Sequence, residues 1–223
     1  MTIRIGCLHA HYSNIEYIEQ ALSGREAELL HFVDPALVYR ISSDENFSLA
    51  EAGRRVKEQI EWIEHAGVDA ILVTCTNYIA VMQDDPFTAS VPIMKIDEPF
   101  FADICRYDEP QLLLFTNPAT VDGTMKRLRE YARMNGHKPD VEALVIEGVF
   151  ELIMKGNKDE HNRELSDRLR RLVGVGEGKS ISVGQLSMSE AAGRVAAESG
   201  VPIGNPLESL ISSMDTLLWH ETA

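Results

Sequence analysis

The stretch Ala70-Ile71-Leu72-Val73-Thr74-Cys75-Thr76-Asn77-Tyr78 decides the fold of this chain. Its first four residues form a short apolar run, which is typical of a strand buried on both faces of a parallel sheet. The run ends in a small polar cluster that contains a cysteine. Because ligands of parallel sheets bind beyond the carboxyl ends of the strands, the pattern predicts that this strand delivers the Cys75 thiol to a binding site.

The chain contains a second copy of the same element. Ile71-Leu72-Val73-Thr74-Cys75 aligns with Ile181-Ser182-Val183-Gly184-Gln185, and Val91-Pro92-Ile93 aligns with Val201-Pro202-Ile203, both at an offset of 110 residues. Several elements in register at one offset indicate an internal duplication. Strands that alternate with helices imply a parallel sheet in each half. The predicted fold class is α/β, with two pseudo-symmetric, flavodoxin-like, three-layer halves. Each half holds a parallel four-stranded sheet, and the active site is expected in the cleft between them.

The duplication also predicts the domain boundaries. Residues 1–98 and 207–223 are expected to form a first lobe that carries Cys75, and residues 99–206 a second lobe that carries positions 185–187. In the first lobe, Ser48 and Glu51 predict a capping box at the start of an amphipathic helix. The stretch that follows Asp34-Pro35, up to Ser48, is predicted to be a loop.

The composition is ordinary for a soluble globular protein. Hydrophobic residues make up 44% of the 223 residues and charged residues 25%, which argues against disorder. The net charge of −14 disfavours nucleic acid and anionic membranes as partners, although backbone amides can still bind an anionic substrate. No apolar run approaches the ~20 residues of a membrane span, and the opening residues predict no signal peptide. Three widely spaced cysteines predict neither a disulfide framework nor a zinc site, and favour a reducing cytoplasm.

Two motifs resemble a known superfamily. Thr74-Cys75-Thr76-Asn77 and Phe115-Thr116-Asn117-Pro118-Ala119-Thr120-Val121, within the doubled α/β half, are similar to the aspartate/glutamate/hydantoin racemase superfamily, which includes maleate isomerase and arylmalonate decarboxylase. The resemblance covers nearly the whole chain and is closest to the branch of aspartate/glutamate racemase-like proteins. The stretches that indicate this branch are Ile96-Asp97-Glu98-Pro99, Val145-Ile146-Glu147-Gly148-Val149-Phe150, Asp159-Glu160-His161-Asn162-Arg163 and Gln185-Leu186-Ser187-Met188.

The resemblance implies cofactor-independent chemistry at the carbon next to a carboxylate. Racemases of this superfamily place one cysteine on each side of the substrate, so that one thiolate removes the α-proton and the other thiol returns a proton. Cys75 matches the first of these cysteines. The second position is Gln185, which cannot carry a proton, so symmetric two-thiol racemisation is not expected.

The candidate site residues follow the predicted strands. Cys75 precedes a predicted helix, whose dipole and amides are expected to lower its thiol pKa. His9 is the candidate second proton carrier because an imidazole titrates near neutrality, and His11 is a weaker candidate. Side chains that could hold a carboxylate and stabilise an enolate-like charge are Thr76, Asn77, Thr116, Asn117, Thr120, Glu147, Gln185 and Ser187.

Each candidate also has a structural interpretation. Cys75 could be a buried core cysteine, and Asn117, Glu147 and Gln185 could be helix or strand-end caps. Asp34 and Asp97-Glu98 are interpreted as caps and turn formers, although both lie at strand ends.

The leading hypothesis is a cofactor-independent isomerase or racemase-like enzyme for a small amino acid or (di)carboxylic acid, with Cys75 as base or nucleophile. Three reactions stay open: α-proton exchange with a partner such as His9, covalent addition to a double bond, and protonation of a carbanion after decarboxylation. The alternative is a non-catalytic protein that binds small carboxylates. No metal, cofactor, nucleic acid or membrane partner is expected, and homo-oligomer formation is left open.

Overall fold

The computed structural model describes residues 2–82, 89–175 and 178–219 and shows two parallel four-stranded sheets with interleaved helices. The chain divides into two compact units. Unit 1 consists of Met1–Glu98 and Met214–Ala223, and unit 2 consists of Pro99–Ser213. In this division the second boundary follows Ser213, whereas the sequence places it before Leu207; the functional division into two lobes stays a prediction.

Unit 1 contains one sheet in the strand order β2-β1-β3-β4, in which all neighbours are parallel. Its elements are β1 (Ile3–His9), α1 (Asn14–Leu22), β2 (Ala27–Val33), α2 (Pro35–Ser43), α3 (Leu49–Glu64), β3 (Ala70–Val73), α4 (Thr76–Met82) and β4 (Ile93–Lys95). All four residues of β3 are buried, as the apolar run predicts. A π-helical turn, Asp215–Trp219, also belongs to this unit.

Unit 2 contains a second parallel sheet in the equivalent order β6-β5-β7-β8. The elements from Glu98 onward are α5 (Glu98–Ile104), β5 (Gln111–Phe115), α6 (Val121–Met134), β6 (Val141–Val145), α7 (Phe150–Met154), α8 (Lys158–Val175), β7 (Ser180–Val183), α9 (Ser189–Ser199), β8 (Ile203–Gly204) and α10 (Pro206–Met214). β7 and β8 each begin 110 residues after β3 and β4, so the predicted duplication is confirmed. Within the described ranges, no helix has the length and apolarity needed to cross a membrane.

Helices cover both faces of the sheet in unit 2. Leu114 of β5 packs with residues of α8 and α9, whereas its neighbours Leu113 and Phe115 pack with residues of α5 and α6. Successive residues of a strand point to opposite faces, so these two clusters are the two sides of one sheet. The predicted three-layer arrangement is present in this unit.

The predicted loop after Asp34 is wrong, because most of it forms α2. The Asp34 carboxylate accepts hydrogen bonds from the backbone N–H groups of Ala36 (3.1 Å) and Leu37 (3.3 Å). Pro35 occupies the first turn, where its missing N–H leaves no intrahelical bond unmade. The interpretation of Asp34 as a cap is confirmed, and the pair Asp34-Pro35 starts a helix where the sequence analysis predicted a loop. The capping box of Ser48 and Glu51 is confirmed at the start of α3.

Gly6 sets the close approach of β1 to α3. A Cβ at this position would overlap Cγ2 of Ile63 and lie 3.3 Å from Cγ1 of Val68. Ile63 is fully buried and has little room to move, so we expect Gly6→Ala to lower the free energy of unfolding by about 1–3 kcal/mol. Urea unfolding followed by circular dichroism measures the change. Gly123→Ala in α6 is the control, because a Cβ there meets open space and should not destabilise. Equal stability of Gly6→Ala and the wild type would contradict the prediction.

Candidate active site

Cys75 lies between the end of β3 and the start of α4 and is half-buried. Burial raises the pKa of its thiol to about 11, although the backbone N–H groups of Tyr78 and Asn77 lower it. The amides thus act in the predicted direction, but the net shift is opposite to the prediction. The physical reason is that the loss of hydration destabilises the buried thiolate by more than the two backbone N–H groups stabilise it. At neutral pH Cys75 therefore carries its proton.

Asp97 is a candidate that the sequence analysis interpreted as a cap or turn former at a strand end. The β3–β4 register pairs Val73 with Lys95, so two residues further on Cys75 and Asp97 both follow the carboxyl ends of neighbouring strands. The Asp97 side chain is buried, and its charge raises the pKa of the Cys75 thiol. A carboxylate close enough to oppose the thiolate is also a candidate acceptor for the thiol proton. Pairing the two predicted strands by register could have found it.

His9 is fully buried at the end of β1, and both of its ring nitrogens are hydrogen-bonded. Nδ1 lies 2.8 Å from Oγ1 of Thr74, and Nε2 lies 2.8 Å from Nδ1 of His31 on β2. Nε2 of His31 lies 3.0 Å from a carboxylate oxygen of Glu19, whose side chain is exposed. These four residues, which we call the His9 network, connect the surface to the residue before Cys75. Burial, together with His31, lowers the pKa of His9 to about 4, so its ring is neutral at pH 7.

The direction of donation along the His9 network follows from Glu19. A carboxylate only accepts, so His31 donates its Nε2–H to Glu19, and the neutral form of His31 then presents the lone pair of Nδ1 to His9. In that arrangement His9 donates from Nε2 and accepts at Nδ1 from the Thr74 hydroxyl at 2.8 Å, while the carbonyl oxygen of Leu8 lies 3.3 Å from the same hydroxyl. Thr74 also accepts a hydrogen bond from the Asn14 amide at 3.2 Å. Any influence of His9 on the site therefore passes through the Thr74 hydroxyl, since both ring nitrogens are engaged.

Cys7, His9 and His31 form the one group of potential metal ligands in the part of the chain that the structure describes. Their donor atoms lie within 4.8 Å of one another, because the β1–β2 register places Cys7 opposite His31. Two nitrogens on one tetrahedral zinc ion would stand about 3.3 Å apart, whereas those of His9 and His31 are 2.8 Å apart. Burial also raises the pKa of Cys7 to about 12, so its thiol keeps its proton. The arrangement fits hydrogen bonding better than metal coordination.

Gln185 of unit 2 joins the ends of β7 and β5. Its Oε1 accepts three hydrogen bonds, from the backbone N–H of Thr116 (2.7 Å), the hydroxyl of Thr116 (2.9 Å) and the backbone N–H of Asn117 (3.0 Å). Its Nε2 donates to Oγ1 of Thr120 at 3.4 Å. Four predicted binding residues are thus together in one group. Asn117 also caps the 3₁₀ turn Pro118–Thr120 by accepting from the N–H of Ala119, as its structural interpretation predicts.

The remaining predicted residues belong neither to the His9 network nor to the hydrogen-bonded group around Gln185. Thr76 is half-buried and Asn77 exposed at the start of α4, and Ser187 is half-buried in the 3₁₀ turn Leu186–Met188. Glu147 is exposed in the turn after β6, and the exposed His11 lies 2.8 Å from the Ser13 hydroxyl. Their proposed roles stay predictions.

His161 is a buried polar residue to which sequence reasoning gave no role. It lies in the first turn of α8, with Nδ1 3.1 Å from Oδ1 of Asn162. Nε2 is buried and has no hydrogen-bond partner among the described residues. Burial lowers the pKa of this ring, so it is neutral at pH 7. Only the family-like stretch 159–163 pointed to this position.

Comparison with known proteins gives a consistent result for the whole chain. The family model for Asp/Glu/Hydantoin racemase matches residues 9–214. No curated protein matches significantly. Among solved structures, the allantoin racemase from Klebsiella pneumoniae is 19% identical, with a TM-score of 0.69 over 99% of this chain and 89% of that one.

Two other racemases have a similar structure. The Picrophilus torridus aspartate racemase is 13% identical, with a TM-score of 0.63 over 96% of this chain and 94% of that one. The glutamate racemase from Thermus thermophilus is 18% identical, with a TM-score of 0.64 over 99% of this chain and 82% of that one. At these identities the similarity shows a common fold.

Proposed function

The chain belongs to the Asp/Glu/Hydantoin racemase family, a family of isomerases, and from this premise we propose a cofactor-independent reaction at the carbon next to a carboxylate. The proposed substrate is a small amino acid or (di)carboxylic acid. Cys75 is the single thiol of the site and acts as base or nucleophile. The observation that carries the proposal is the position of Cys75, beyond the carboxyl end of the fully buried β3 and under the influence of the Asp97 carboxylate.

The reaction needs a thiolate, and Cys75 is a thiol at neutral pH. In our proposal the thiol passes its proton to the Asp97 carboxylate, which leaves a thiolate and a neutral carboxylic acid, so the total charge of the pair is unchanged. The thiolate then takes the α-proton, and the electron pair of the broken C–H bond moves into the substrate carboxylate as an enolate. The backbone N–H and hydroxyl of Thr76 and the side-chain amide of Asn77 are the proposed donors to that charge.

The return of a proton is the step that Gln185 cannot perform. His9 is the proposed second proton carrier, supported by its 2.8 Å contact with Thr74. In this step the carbanion takes the Thr74 hydroxyl proton, Thr74 takes a proton from Nδ1 of His9, and Nε2 of His9 takes one from Nδ1 of His31, which is reprotonated from solvent beside Glu19. Both rings use here the tautomers opposite to those of the resting network. Two other reactions use Cys75 alone: addition of the thiolate to an activated double bond, and protonation of the carbanion left by decarboxylation.

Solvent-deuterium exchange tests the proposed function. A panel of small carboxylates is incubated with the protein in D₂O and followed by proton NMR. Loss of the α-proton signal together with inversion of configuration indicates racemisation. Geometric isomerisation of a double bond without loss of the α-proton signal indicates addition of the thiolate. Release of CO₂ indicates decarboxylation. The absence of any reaction across the panel would contradict the isomerase proposal.

A non-catalytic small-carboxylate-binding protein is the second candidate. Gln185 has an amide side chain at the sequence position of the second cysteine of the superfamily's racemases, which favours a binding protein. The raised pKa of Cys75 also favours it. Saturable binding of carboxylates with no exchange or turnover would support this candidate over the enzyme.

The proposed setting is the reducing cytoplasm, with a small carboxylate as partner and neither nucleic acid nor a membrane. Free thiols at Cys7, Cys75 and Cys105 support the redox setting, and the net charge of −14 supports the choice of partner. Homo-oligomer formation is left open.

Asp97→Asn tests the coupling between the carboxylate and the thiol. Removing the charge lowers the pKa of Cys75, and below its pKa the thiolate fraction rises about tenfold for each unit by which the pKa falls. We therefore expect iodoacetamide to alkylate Cys75 about 3–10-fold faster at pH 8, while turnover slows because the proton acceptor is lost.

Mass spectrometry of the Cys75 peptide measures the alkylation rate, with the Cys105 peptide of unit 2 as internal control. Unchanged or slower alkylation of Cys75 in Asp97→Asn would show that the Asp97 charge does not act on this thiol. Faster alkylation with unchanged turnover would remove Asp97 from the proposed mechanism.

A further inference from the structure

We propose that the amide oxygen of Gln185 is an internal ligand of an oxyanion-binding position in unit 2, and that a carboxylate binds there by displacing it. The position, which we call the Thr116 nest, consists of the N–H and hydroxyl of Thr116 and the N–H of Asn117. The choice of a carboxylate as ligand rests on the proposed function.

The donors of the Thr116 nest exceed what an amide oxygen can best use. Three donors converge on Oε1 of Gln185 at 2.7, 2.9 and 3.0 Å. A neutral amide oxygen has two lone pairs, whereas a carboxylate has two oxygens and a negative charge. Hydrogen bonds to an ionised acceptor are roughly twice as strong as those between neutral groups. The nest therefore suits an anionic oxygen better than the amide that it holds.

The buried donors of the Thr116 nest need a hydrogen-bond acceptor. Thr116 is 2% exposed, and a buried N–H or hydroxyl that loses its partner is strongly destabilising. Gln185 supplies the acceptor from the neighbouring strand end. The observed hydrogen bonds are thus those of a site that is closed by a residue of the same chain.

Gln185 is able to leave without moving the backbone. Its residue is half-buried and has an extended backbone (φ −137°, ψ 143°) at the end of β7. Its side chain has three rotatable bonds, and the contact of its Nε2 with Thr120 is long, at 3.4 Å. A rotamer change therefore frees all three donors of the nest at once.

Displacement makes Gln185 an affinity-setting and specificity-setting residue. The apparent dissociation constant of a ligand is its intrinsic value divided by the fraction of molecules in which the nest is open. A ligand must offer a better acceptor than an amide oxygen, so oxyanions enter and neutral amides do not. After displacement, the Nε2–H groups of Gln185 are also available to a second oxygen of the ligand.

The test measures anion binding without using turnover. Acetate is titrated into the full chain, and the backbone amide signals of Thr116 and Asn117 are followed by NMR. Gln185→Ala removes the internal ligand and is expected to tighten acetate binding about tenfold. Gln185→Glu places a carboxylate of the chain itself in the nest. Because this carboxylate competes with acetate more strongly than the amide does, acetate binding is expected to weaken by about tenfold or more.

Matched controls separate displacement from general disturbance. Ser180→Ala changes a half-buried side chain at the opposite end of β7 and should leave the acetate affinity unchanged. Acetamide, the neutral counterpart of acetate, should bind more weakly than acetate to the wild type and to Gln185→Ala. Gln185→Met keeps the length of the side chain without its carbonyl, and it replaces Gln185→Ala if that variant does not fold.

Two outcomes would overturn the inference: no acetate-dependent shift of Thr116 and Asn117 in any variant, or equal acetate affinity in the wild type, Gln185→Glu and the folded Ala or Met variant. Tighter acetate binding in Gln185→Ala, with no α-proton exchange for any carboxylate, would uphold the inference and contradict the isomerase proposal. Exchange in the wild type, with acetate affinity unaffected by position 185, would do the reverse.

Discussion

Replacing Cys75 with serine is expected to reduce α-proton exchange about 10²–10⁴-fold, the range typical for loss of a general base. Serine keeps a side-chain oxygen in place of the sulfur that faces the N–H groups of Asn77 and Tyr78, so the start of α4 should be preserved. Its hydroxyl, however, cannot supply an anion near neutral pH. The measurement is the deuterium-exchange rate under saturating substrate, with circular dichroism to confirm folding.

Cys105→Ala is the matched control for this prediction. Cys105 is a buried thiol in the apolar cluster of unit 2 around Phe101 and Leu113, and the proposal gives it no role. Its replacement should leave the exchange rate unchanged. Exchange that survives at wild-type rate in Cys75→Ser or Cys75→Ala would eliminate the thiol mechanism, whatever the substrate.

Acidification from pH 7.5 to pH 5 is expected to cost the folded protein about 2 kcal/mol through His9 alone. Burial, with His31 beside it, holds the pKa of His9 at about 4, against an ordinary value of 6.5. Between these two values the unfolded chain binds a proton that the folded chain does not. Stability from His9 is therefore complete above pH 6.5 and falls as the pH drops towards 4.

Comparison of variants isolates this contribution from that of the carboxylates and of His161. Urea unfolding at pH 7.5 and pH 5 gives the loss of stability on acidification, and His9→Gln should show a loss about 2 kcal/mol smaller than the wild type. Thr74→Val removes the hydroxyl partner but leaves the buried ring, so its loss should match that of the wild type. An equal loss in His9→Gln and the wild type would show that His9 is not held neutral by burial.

Much of the fold could be predicted because its determinants are local. The apolar run of β3, the capping box of α3 and the offset between the two halves all depend on residues close together in the sequence or on a simple repeat. α2 was missed because Asp34-Pro35 suits both a turn and a helix start, and local sequence does not distinguish them.

The candidate site could be predicted only in part. The position of Cys75 at a strand end follows from the pattern around it. The partners of His9 do not, because His31 belongs to another strand and comes near only through the parallel register. Asp97 lies 22 residues beyond Cys75 and reaches its neighbourhood in the same way.

The sequence by itself determined the α/β class, the duplication, the family and the position of Cys75 at a strand end, since periodicity, caps and motifs depend on consecutive residues. Only the tertiary structure decided the protonation of Cys75 and His9 and the occupant of the Thr116 nest. Those properties depend on burial and on hydrogen-bond partners from distant segments. The pKa of Cys75 shows the difference: the nearby amides act as the sequence predicts, but burial outweighs them.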